Sequence, residues 1–391
     1  MLIYVTSIWN HYQGPLCYAL ADRLGADSFR ALFVRPNDDA QTLQRIRLGW
    51  DVRPPVEKWI VANPQTQAEL DAENSMWVKN VEEADIAILA ALHWSRPLYR
   101  AVRRRILAGR LTFFVNERFF KDRLTFKDIV NPKNWVRWMK MHYKYNFPNV
   151  HYLPISHFGQ DDLKMLRTCS GRMWRWAYFP ELSDKLSEKP RGEIIQIGWC
   201  GRMLKWKHVE IAIEAVAALP MEDRDKCHLT IVGTGECENE LRNMVASKKL
   251  TKWVDFKPPM TVPEIADFMR GLDIYLLPSD RGEGWGVVLA EAMNKGCVPI
   301  ACDEAGATLE LIQDGFNGYV HKKGDVAAIA SRISGLIRNR ARLEEMGKAA
   351  FESIRNWDAK VGASRLLMLI DSIRKGSAKS LYSSGLCSNV G

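Results

Sequence analysis

The feature that most constrains this 391-residue chain is an alternation of short apolar runs with helical stretches, which occurs twice. The apolar runs of the first half lie at residues 2–6, 31–34, 84–90 and 111–115. Those of the second half lie at residues 194–197, 228–232, 253–256, 273–277 and 297–301. Such alternation predicts parallel sheets with helices on their faces. We therefore predict an α/β protein with two doubly wound, Rossmann-like domains that face each other across a cleft.

The boundary between these domains is expected at residues 180–191, a segment rich in Pro, Ser and charged residues. We predict an N-terminal domain at residues 1–182 and a C-terminal domain at residues 183–364. A final helix at residues 365–376 is a candidate for crossing back to the N-terminal domain. The Ser- and Gly-rich tail at residues 377–391 is predicted to be disordered.

The positive charge of the chain is concentrated in one segment. The formal net charge is +9, and residues 96–144 alone hold 14 Lys or Arg against 3 Asp or Glu. The half from residue 181 onward is neutral, with 29 residues of each sign. This asymmetry indicates an anionic partner for the N-terminal half: a membrane surface, a nucleic acid or an anionic substrate.

Targeting and redox features are sparse. The longest uncharged stretch, residues 2–21, is interrupted by polar residues and has no basic start, so it reads neither as a membrane span nor as a signal peptide. The eight cysteines include no Cys-x-x-Cys pair. A reduced, cytoplasmic compartment is therefore expected, without a metal site built from cysteines.

The strongest local motif is a pair of glutamates, Glu283 and Glu291, separated by seven residues across a glycine-rich turn that enters a helix. Glu283 is expected at the carboxyl edge of the sheet, and Glu291 ~12 Å further along the helix. Gly284 and Gly286 would let backbone N–H groups approach an anion at the helix N-terminus. The arrangement suits a nucleotide-sugar, which has hydroxyls at both ends and phosphates between. Two surface glutamates on a solvated helix are the alternative.

Four further motifs surround this pair in the chain. They are Gly201-Arg-Met-Leu-Lys-Trp-Lys207, Ile231-Val-Gly-Thr-Gly-Glu236, Cys302-Asp-Glu-Ala-Gly306 and Glu310-Leu-Ile-Gln-Asp-Gly-Phe-Asn-Gly318. In this order the series resembles the C-terminal domain of retaining GT-B glycosyltransferases of the E-x7-E type (glycosyl transferases group 1, family 4-like). The resemblance extends over residues 194–373.

The resemblance implies a set of catalytic and donor-binding residues. Arg202 and Lys207 match the basic pair that binds the donor diphosphate, where fixed cations stabilise the charge that builds on the leaving group. Glu283 would contact the donor sugar as a catalytic residue, and Glu291 the ribose hydroxyls. The other implied donor contacts are Gly14, Gly201, Gly233, Gly235, Gly284, Trp285, Gly286 and Val287.

The N-terminal half departs further from this family. The loop that contains Gly14 lacks the usual adjacent glycines. Many relatives carry a histidine after the strand expected at residues 111–115, where this chain has Asn116-Glu117-Arg118. Glu117 is therefore a candidate contact to the donor sugar or to the acceptor.

No metal ion or other cofactor is predicted. The single Asp-x-Asp sequence, Asp223-Arg-Asp225, lies in a charged connection that we interpret as a surface turn, and the eight histidines show no ligand spacing. Arg202, Lys207 and a helix N-terminus would then neutralise the donor phosphates.

A segment at residues 134–145 interleaves large aromatic side chains with basic ones. The residues predicted to face a membrane are Trp135, Arg137, Trp138, Lys140 and Lys144. This composition suits a helix that lies on an anionic bilayer, and it equally suits a core-packing helix with a solvated basic face. Nucleic-acid binding ranks third because the chain shows no known nucleic-acid module.

These observations favour a retaining, metal-independent glycosyltransferase that moves a sugar from a UDP- or GDP-sugar to an acceptor hydroxyl. The expected acceptor is a lipid-linked saccharide of cell-envelope polysaccharide synthesis, and the expected location is the cytoplasmic membrane face. Two alternatives remain open: a sugar-nucleotide epimerase or hydrolase on the same scaffold, and a catalytically silent nucleotide-sugar-binding module. The intact set of Arg202, Lys207, Glu283 and Glu291 weighs against the silent module.

Overall fold

The computed structural model divides into two compact units, residues 1–180 with 357–391 and residues 181–356. The part of the chain that it describes comprises residues 1–34, 46–47, 55–62, 66–72, 76–90, 95–118, 130–141, 143–167, 169–189, 192–377 and 381–390.

The first unit is built on a parallel sheet. Its strands are β1 (Leu2–Thr6), β2 (Phe29–Phe33), β3 (Ile60–Ala62), β4 (Ile86–Leu89), β5 (Leu111–Asn116) and β6 (Val150–Pro154). In the described residues these six strands lie in the order β3-β2-β1-β4-β5-β6. β1 pairs in parallel with β2 on one side and with β4 on the other. The order reverses beside β1, as in doubly wound sheets.

Helices cover this sheet and bury its apolar residues. They are α1 (Gly14–Leu24), α2 (Gln67–Leu70), α3 (Met76–Glu83), α4 (Arg96–Leu107), α5 (Pro132–Met141) and α6 (His157–Met165). The start of α4 illustrates the local signals, because Ser95 caps it by accepting from the backbone N–H of Leu98 at 3.4 Å, and Pro97 stands in its first turn. The strands are fully buried in runs such as Leu2–Thr6, as expected for a sheet covered on both faces.

The second unit repeats this plan. Its strands are β7 (Ile195–Arg202), β8 (Cys227–Thr234), β9 (Val254–Lys257), β10 (Ile274–Leu277), β11 (Val298–Cys302) and β12 (Tyr319–His321). Over the described residues they form a six-stranded sheet in the order β12-β11-β10-β7-β8-β9, and every pairing is parallel. Its helices are α7 (Val209–Ala217), α8 (Met221–Arg224), α9 (Glu238–Ser247), α10 (Val262–Arg270), α11 (Val287–Asn294), α12 (Thr308–Leu311), α13 (Val326–Arg338) and α14 (Arg340–Ile354). The predicted α/β class with two doubly wound domains is confirmed.

The C-terminal end of the chain belongs to the first unit. A helix α15 (Ala359–Arg374) packs there against α1, so the predicted return of the last helix is confirmed. The helix begins at Ala359, within the stretch predicted to belong to the C-terminal domain. It starts early because the Asp358 carboxylate caps it, accepting from the N–H of Lys360 at 2.6 Å.

The tail predicted to be disordered is ordered over residues 381–390. Leu386 and Cys387 are fully buried, and the Arg175 N–H donates to the Ser388 carbonyl at 2.9 Å. Arg365 of α15 donates to the carbonyls of Ser384 and Leu386, both at 3.1 Å. The composition of the tail indicated disorder, but the backbone of Arg175 and the side chain of Arg365 satisfy polar groups of its backbone.

Candidate active site

The carboxyl ends of β7, β8 and β10 bring the predicted donor-binding motifs to one edge of the second sheet. Arg202 is the last residue of β7 and pairs in register with Thr234, the last residue of β8. The loop that holds Glu283 follows β10, which is the other neighbour of β7. Open α/β sheets bind ligands at this edge.

Lys207 and Glu283 form an ion pair at this edge. The Lys207 ammonium donates to Glu283 Oε2, and the two side chains are only 14% and 11% exposed. The Lys207 ammonium also lies 4.4 Å from the ring centroid of Trp206, a cation–π contact. The residues come from a 3-10 turn, Lys205–Lys207, and from a loop 76 positions later. Two of the predicted catalytic residues are therefore brought together.

Arg202 differs from Lys207 in its exposure. Its side chain is exposed, and within the described part of the chain it has no hydrogen bond or ion pair. A guanidinium has five donors in a planar fork, which matches phosphate geometry. Arg202 can therefore accept an anionic ligand without breaking an existing contact.

Close backbone contacts explain two of the predicted glycines, Gly233 in β8 and Gly235 directly after it. Gly233 has φ +132°, and a Cβ atom there would collide with the carbonyl oxygen of Gly201. A Cβ on Gly235 would lie 2.5 Å from the carbonyl oxygen of Met203. These glycines let two chain segments approach closely at the carboxyl edge of the second sheet.

Helix α11 begins directly after the glycine-rich turn. Gly286 is its N-cap and has φ +87°, a left-handed conformation that favours glycine. Trp285 is buried, Gly284 and Val287 are half-buried, and half-buried Glu291 lies one turn into the helix. The first N–H groups of the helix therefore point toward the loop that carries Glu283.

Sequence reasoning missed a polar cluster around Asp280, which consists of His208, Glu210, Asp280 and Lys323. Asp280 Oδ2 lies 2.9 Å from His208 Nε2 and 2.7 Å from the Lys323 ammonium. Burial alone would raise the pKa of Asp280, but the bonds from Lys323, from the Gly282 N–H and from His208 lower it below its usual value. In the sequence, the one signal that could have indicated this cluster was the position of Asp280 just after a buried strand.

A cavity of about 320 Å³ lies in the first unit at the carboxyl end of β5. Glu117 lines it, and the Tyr178 hydroxyl donates to the Glu117 carboxylate. Burial and the nearby Glu117 charge raise the pKa of Tyr178 well above its usual value. Tyr12, Trp176 and Asn116 share the wall, so the cavity combines aromatic faces with polar groups.

Gly14 has a packing role in the structure. It is the first residue of α1, and a Cβ there would lie 2.7 Å from the indole ring of Trp9. Gly14 is not among the residues that line the 320 Å³ cavity. Close packing against Trp9 therefore explains a glycine at position 14 without the predicted contact to the donor.

Helix α5 exposes apolar and basic side chains together. Trp135, Val136 and Met139 are 52%, 49% and 54% exposed, and Lys140 is exposed as well. Of the other predicted membrane-facing residues, Trp138 donates to the Leu166 carbonyl at 3.3 Å and Lys144 to the Tyr99 hydroxyl at 3.2 Å. Both are turned toward the protein, and the side chain of Arg137 lies outside the described residues.

The predicted surface turn at Asp223-Arg-Asp225 is only partly exposed. Asp223 is 1% exposed and its carboxylate lies 2.7 Å from Arg338, which lowers the pKa of Asp223. Asp225 contacts Lys252 at 2.6 Å. Among the residues that the structure describes, no three His, Cys, Asp or Glu side chains gather as a metal site would require. None of the described helices has both the length and the apolarity that a bilayer span needs.

Known proteins are similar to this chain in sequence and in fold. Residues 183–353 match the model of the family "Glycosyl transferases group 1". A phosphatidyl-myo-inositol mannosyltransferase of Mycobacterium leprae is 30% identical over 173 residues, 44% of this chain and 45% of that protein. A D-inositol 3-phosphate glycosyltransferase of Pseudarthrobacter chlorophenolicus is 30% identical over 155 residues, 39% and 36% of the two chains. The match therefore spans less than half the length of these curated relatives.

Solved structures extend the likeness to the whole fold. The crystal structure of Anabaena Alr3699/HepE in complex with UDP and glucose superposes with a TM-score of 0.66, at 16% identity, over 95% of this chain and 99% of that one. The apo lipopolysaccharide outer core galactosyltransferase WaaB gives a TM-score of 0.63 at 14% identity, over 95% and 100%. The chain thus has the GT-B fold. Its second unit is similar to the group 1 glycosyl transferase model over nearly its whole length.

Proposed function

We propose that this chain is a retaining glycosyltransferase that moves a sugar from a nucleotide-sugar to an acceptor hydroxyl. The observation that carries the proposal is the largely buried Lys207–Glu283 pair at the same carboxyl edge of the second sheet as the exposed Arg202. Two cationic side chains and a carboxylate at one edge of a sheet suit a ligand in which a diphosphate stands next to a polyol.

In this proposal the cations act on the leaving group. When the bond between the anomeric carbon and the phosphate oxygen breaks, negative charge builds on the diphosphate. Arg202 and Lys207 stabilise that charge more in the transition state than in the ground state. The N–H groups at the start of α11 add to this field, and we propose that no metal ion is required.

Glu283 orients the donor sugar. Its carboxylate is held by Lys207, so it accepts hydrogen bonds from sugar hydroxyls and stabilises the positive charge that develops on the ring. The acceptor oxygen attacks the face from which the diphosphate departs, and its proton passes to the departing phosphate oxygen. The configuration at the anomeric carbon is therefore retained without a protein nucleophile.

The acceptor is proposed to bind the cavity of the first unit. Tyr12 and Trp176 offer aromatic faces for a sugar ring, and Glu117 offers an acceptor for its hydroxyls. The exposed apolar and basic face of α5 favours an acceptor carried by an anionic membrane. The relatives named for phosphatidyl-myo-inositol and for lipopolysaccharide outer core point the same way. We propose a lipid-linked saccharide of cell-envelope polysaccharide synthesis, extended at the cytoplasmic membrane face.

The direct test is turnover of a panel of UDP- and GDP-sugars with a crude lipid extract as acceptor. Nucleoside diphosphate release and transfer of labelled sugar are both followed. Replacing Glu283 with Gln keeps the size of the side chain but removes its charge, so we expect the rate of transfer to fall about 100-fold or more. The matched control is Glu240→Gln, an exposed glutamate on α9, which should leave the rate unchanged.

The products separate the remaining functions. Free or isomerised sugar without transfer would indicate a hydrolase or an epimerase. Binding of a donor without any turnover would indicate a silent binding module. Equal transfer rates for the wild type and Glu283→Gln would contradict the role of Glu283.

A further inference from the structure

His208 stands in a conformation that side chains rarely adopt. Its φ and ψ are 50° and 44°, in the left-handed region, where it joins the 3-10 turn Lys205–Lys207 to helix α7. A residue with a Cβ atom is strained there. Such strain persists only where surrounding contacts enforce it, and it concentrates at functional sites.

The contacts that hold His208 are two carboxylates. Nδ1 lies 2.8 Å from Glu210 Oε1, and Nε2 lies 2.9 Å from Asp280 Oδ2. An ionised carboxylate only accepts hydrogen bonds, whereas a neutral imidazole has a single N–H to donate. Both bonds can form together only when the ring carries two protons. The geometry is therefore that of an imidazolium.

Asp280 links the His208 turn to the loop that carries Glu283. Its backbone N–H donates to the Trp206 carbonyl at 3.0 Å, and its own carbonyl accepts from the Glu283 N–H at 2.9 Å. The side chain accepts from the Gly282 N–H at 2.9 Å. Asp280 therefore joins the segment that supplies Lys207 to the loop that supplies Glu283, beside the ion pair that these two residues form.

We propose that His208 is a positioning residue whose imidazolium clamps the segment carrying Lys207 to the loop carrying Glu283, so that the donor site is assembled at low pH and relaxes when the ring loses a proton. The inference rests on the proposed function, because the site that it regulates is the nucleotide-sugar site. His208 itself touches no reacting atom.

The charges around His208 set the direction of this pH dependence. Glu210 from α7 and Asp280 from the β10 loop face it directly, while Lys323 after β12 contacts Asp280 and lies 3.9 Å from Glu304. The bond to Glu210 is the largest influence on the pKa of His208, and together with the bond to Asp280 it outweighs the opposing effect of burial, so the pKa lies above its ordinary 6.5. The clamp is therefore complete below pH 6.5 and is lost as the pH rises through the raised pKa.

The test compares two substitutions at left-handed residues. His208→Gly removes the ring but suits the backbone conformation, so the chain should still fold. Lys249→Gly is the matched control, because Lys249 is exposed and has φ +57° in a loop of the same unit. UDP-glucose and GDP-mannose serve as probes because their diphosphates have no group that titrates between pH 5 and 9.

We expect the wild-type affinity for whichever probe binds to fall about tenfold between pH 5.5 and pH 9, the size of one charge-assisted bond. His208→Gly should bind at every pH as weakly as the wild type does at pH 9. Lys249→Gly should follow the wild type. Parallel pH profiles for the wild type and His208→Gly would overturn the proposal.

Two readouts do not depend on the ligand. The ¹⁵N shifts of the His208 ring should report an imidazolium above pH 6.5, and Tm should lose part of its pH dependence in His208→Gly. A ring that titrates at or below pH 6.5 would overturn the clamp. If neither probe binds the wild type while the ring titrates high, the proposed donor fails and the clamp stands.

Discussion

Gly233 is a residue whose side chain is excluded by a single backbone atom. Its φ of +132° and the carbonyl oxygen of Gly201 both forbid a Cβ atom. We expect Gly233→Ala to lower the free energy of unfolding by about 2 kcal/mol or more, since strain and collision add. Denaturant unfolding of the second unit measures this change.

Gly335 is the matched control for that substitution. It lies inside α13 and is exposed, and a methyl group added there would meet no atom within 4 Å. Gly335→Ala should raise the free energy of unfolding by about 1 kcal/mol, because alanine favours the helix. If Gly233→Ala cost no more stability than Gly335→Ala, the contact with Gly201 would not be what requires a glycine at position 233.

The residues of the donor site were predictable one at a time, but their contacts were not. Arg202, Lys207 and Glu283 stand in motifs that a single sequence displays. The Lys207–Glu283 pair joins positions 76 apart, and it depends on β10 lying beside β7, which no local pattern specifies. His208 was missed because a left-handed backbone at a histidine leaves no signal in the sequence.

The C-terminal segment 381–390 is an element that only tertiary contacts define. Its backbone runs antiparallel to the segment around Trp174, where the Cys387 N–H donates to the Arg175 carbonyl at 2.9 Å. Its Ser- and Gly-rich sequence carries no periodicity. Disorder was therefore the natural prediction, and the backbone partners around Trp174 that help to order the segment lie about 200 positions upstream.

Leu386 anchors this segment, since its side chain is fully buried. We expect Leu386→Ala to destabilise the docked segment by about 2 to 5 kcal/mol, through lost burial and a residual cavity. Amide exchange at Arg175, whose N–H donates to Ser388, should accelerate accordingly. The control is Leu381→Ala at a side chain that is 44% exposed, with an expected change within about 0.5 kcal/mol. Unchanged Arg175 exchange in Leu386→Ala would show that the segment does not dock in solution.

At the scale of the whole molecule, the fold class was predictable because the alternation of apolar runs and helices is a property of the entire chain. Each predicted strand of the second half coincides with one of β7 to β11. The strands β3, β6 and β12 were missed. In β12, Tyr319 and Val320 are only partly buried and the strand is three residues long, so it carries no apolar run. Strand order within each sheet also lay beyond the sequence, since it is set by packing between distant segments.

Positive charge is distributed unevenly over the whole molecule, and this asymmetry leads to a last prediction. The excess of +9 lies in the first half of the chain, and α5 adds exposed Trp135 and Met139 to the exposed Lys133 and Lys140. Each lysine near an anionic leaflet contributes about 1 kcal/mol, and the effect fades within a Debye length. We expect the protein to sediment with anionic vesicles but not with neutral ones, and to be released by high salt.

Replacing lysines of α5 with glutamates tests whether α5 is the surface that binds the vesicles. Lys133→Glu combined with Lys140→Glu should weaken vesicle binding more than about tenfold, because two attractive charges become repulsive. The matched control reverses Lys248 and Lys249, which are exposed on the second unit, and should bind as the wild type does. Because Trp135 would lie at the level of the headgroups, its fluorescence should shift to shorter wavelength on binding, and Trp135→Ala should reduce that shift. Equal sedimentation with both vesicle types, or equal loss from both charge reversals, would mean that α5 is not the membrane contact.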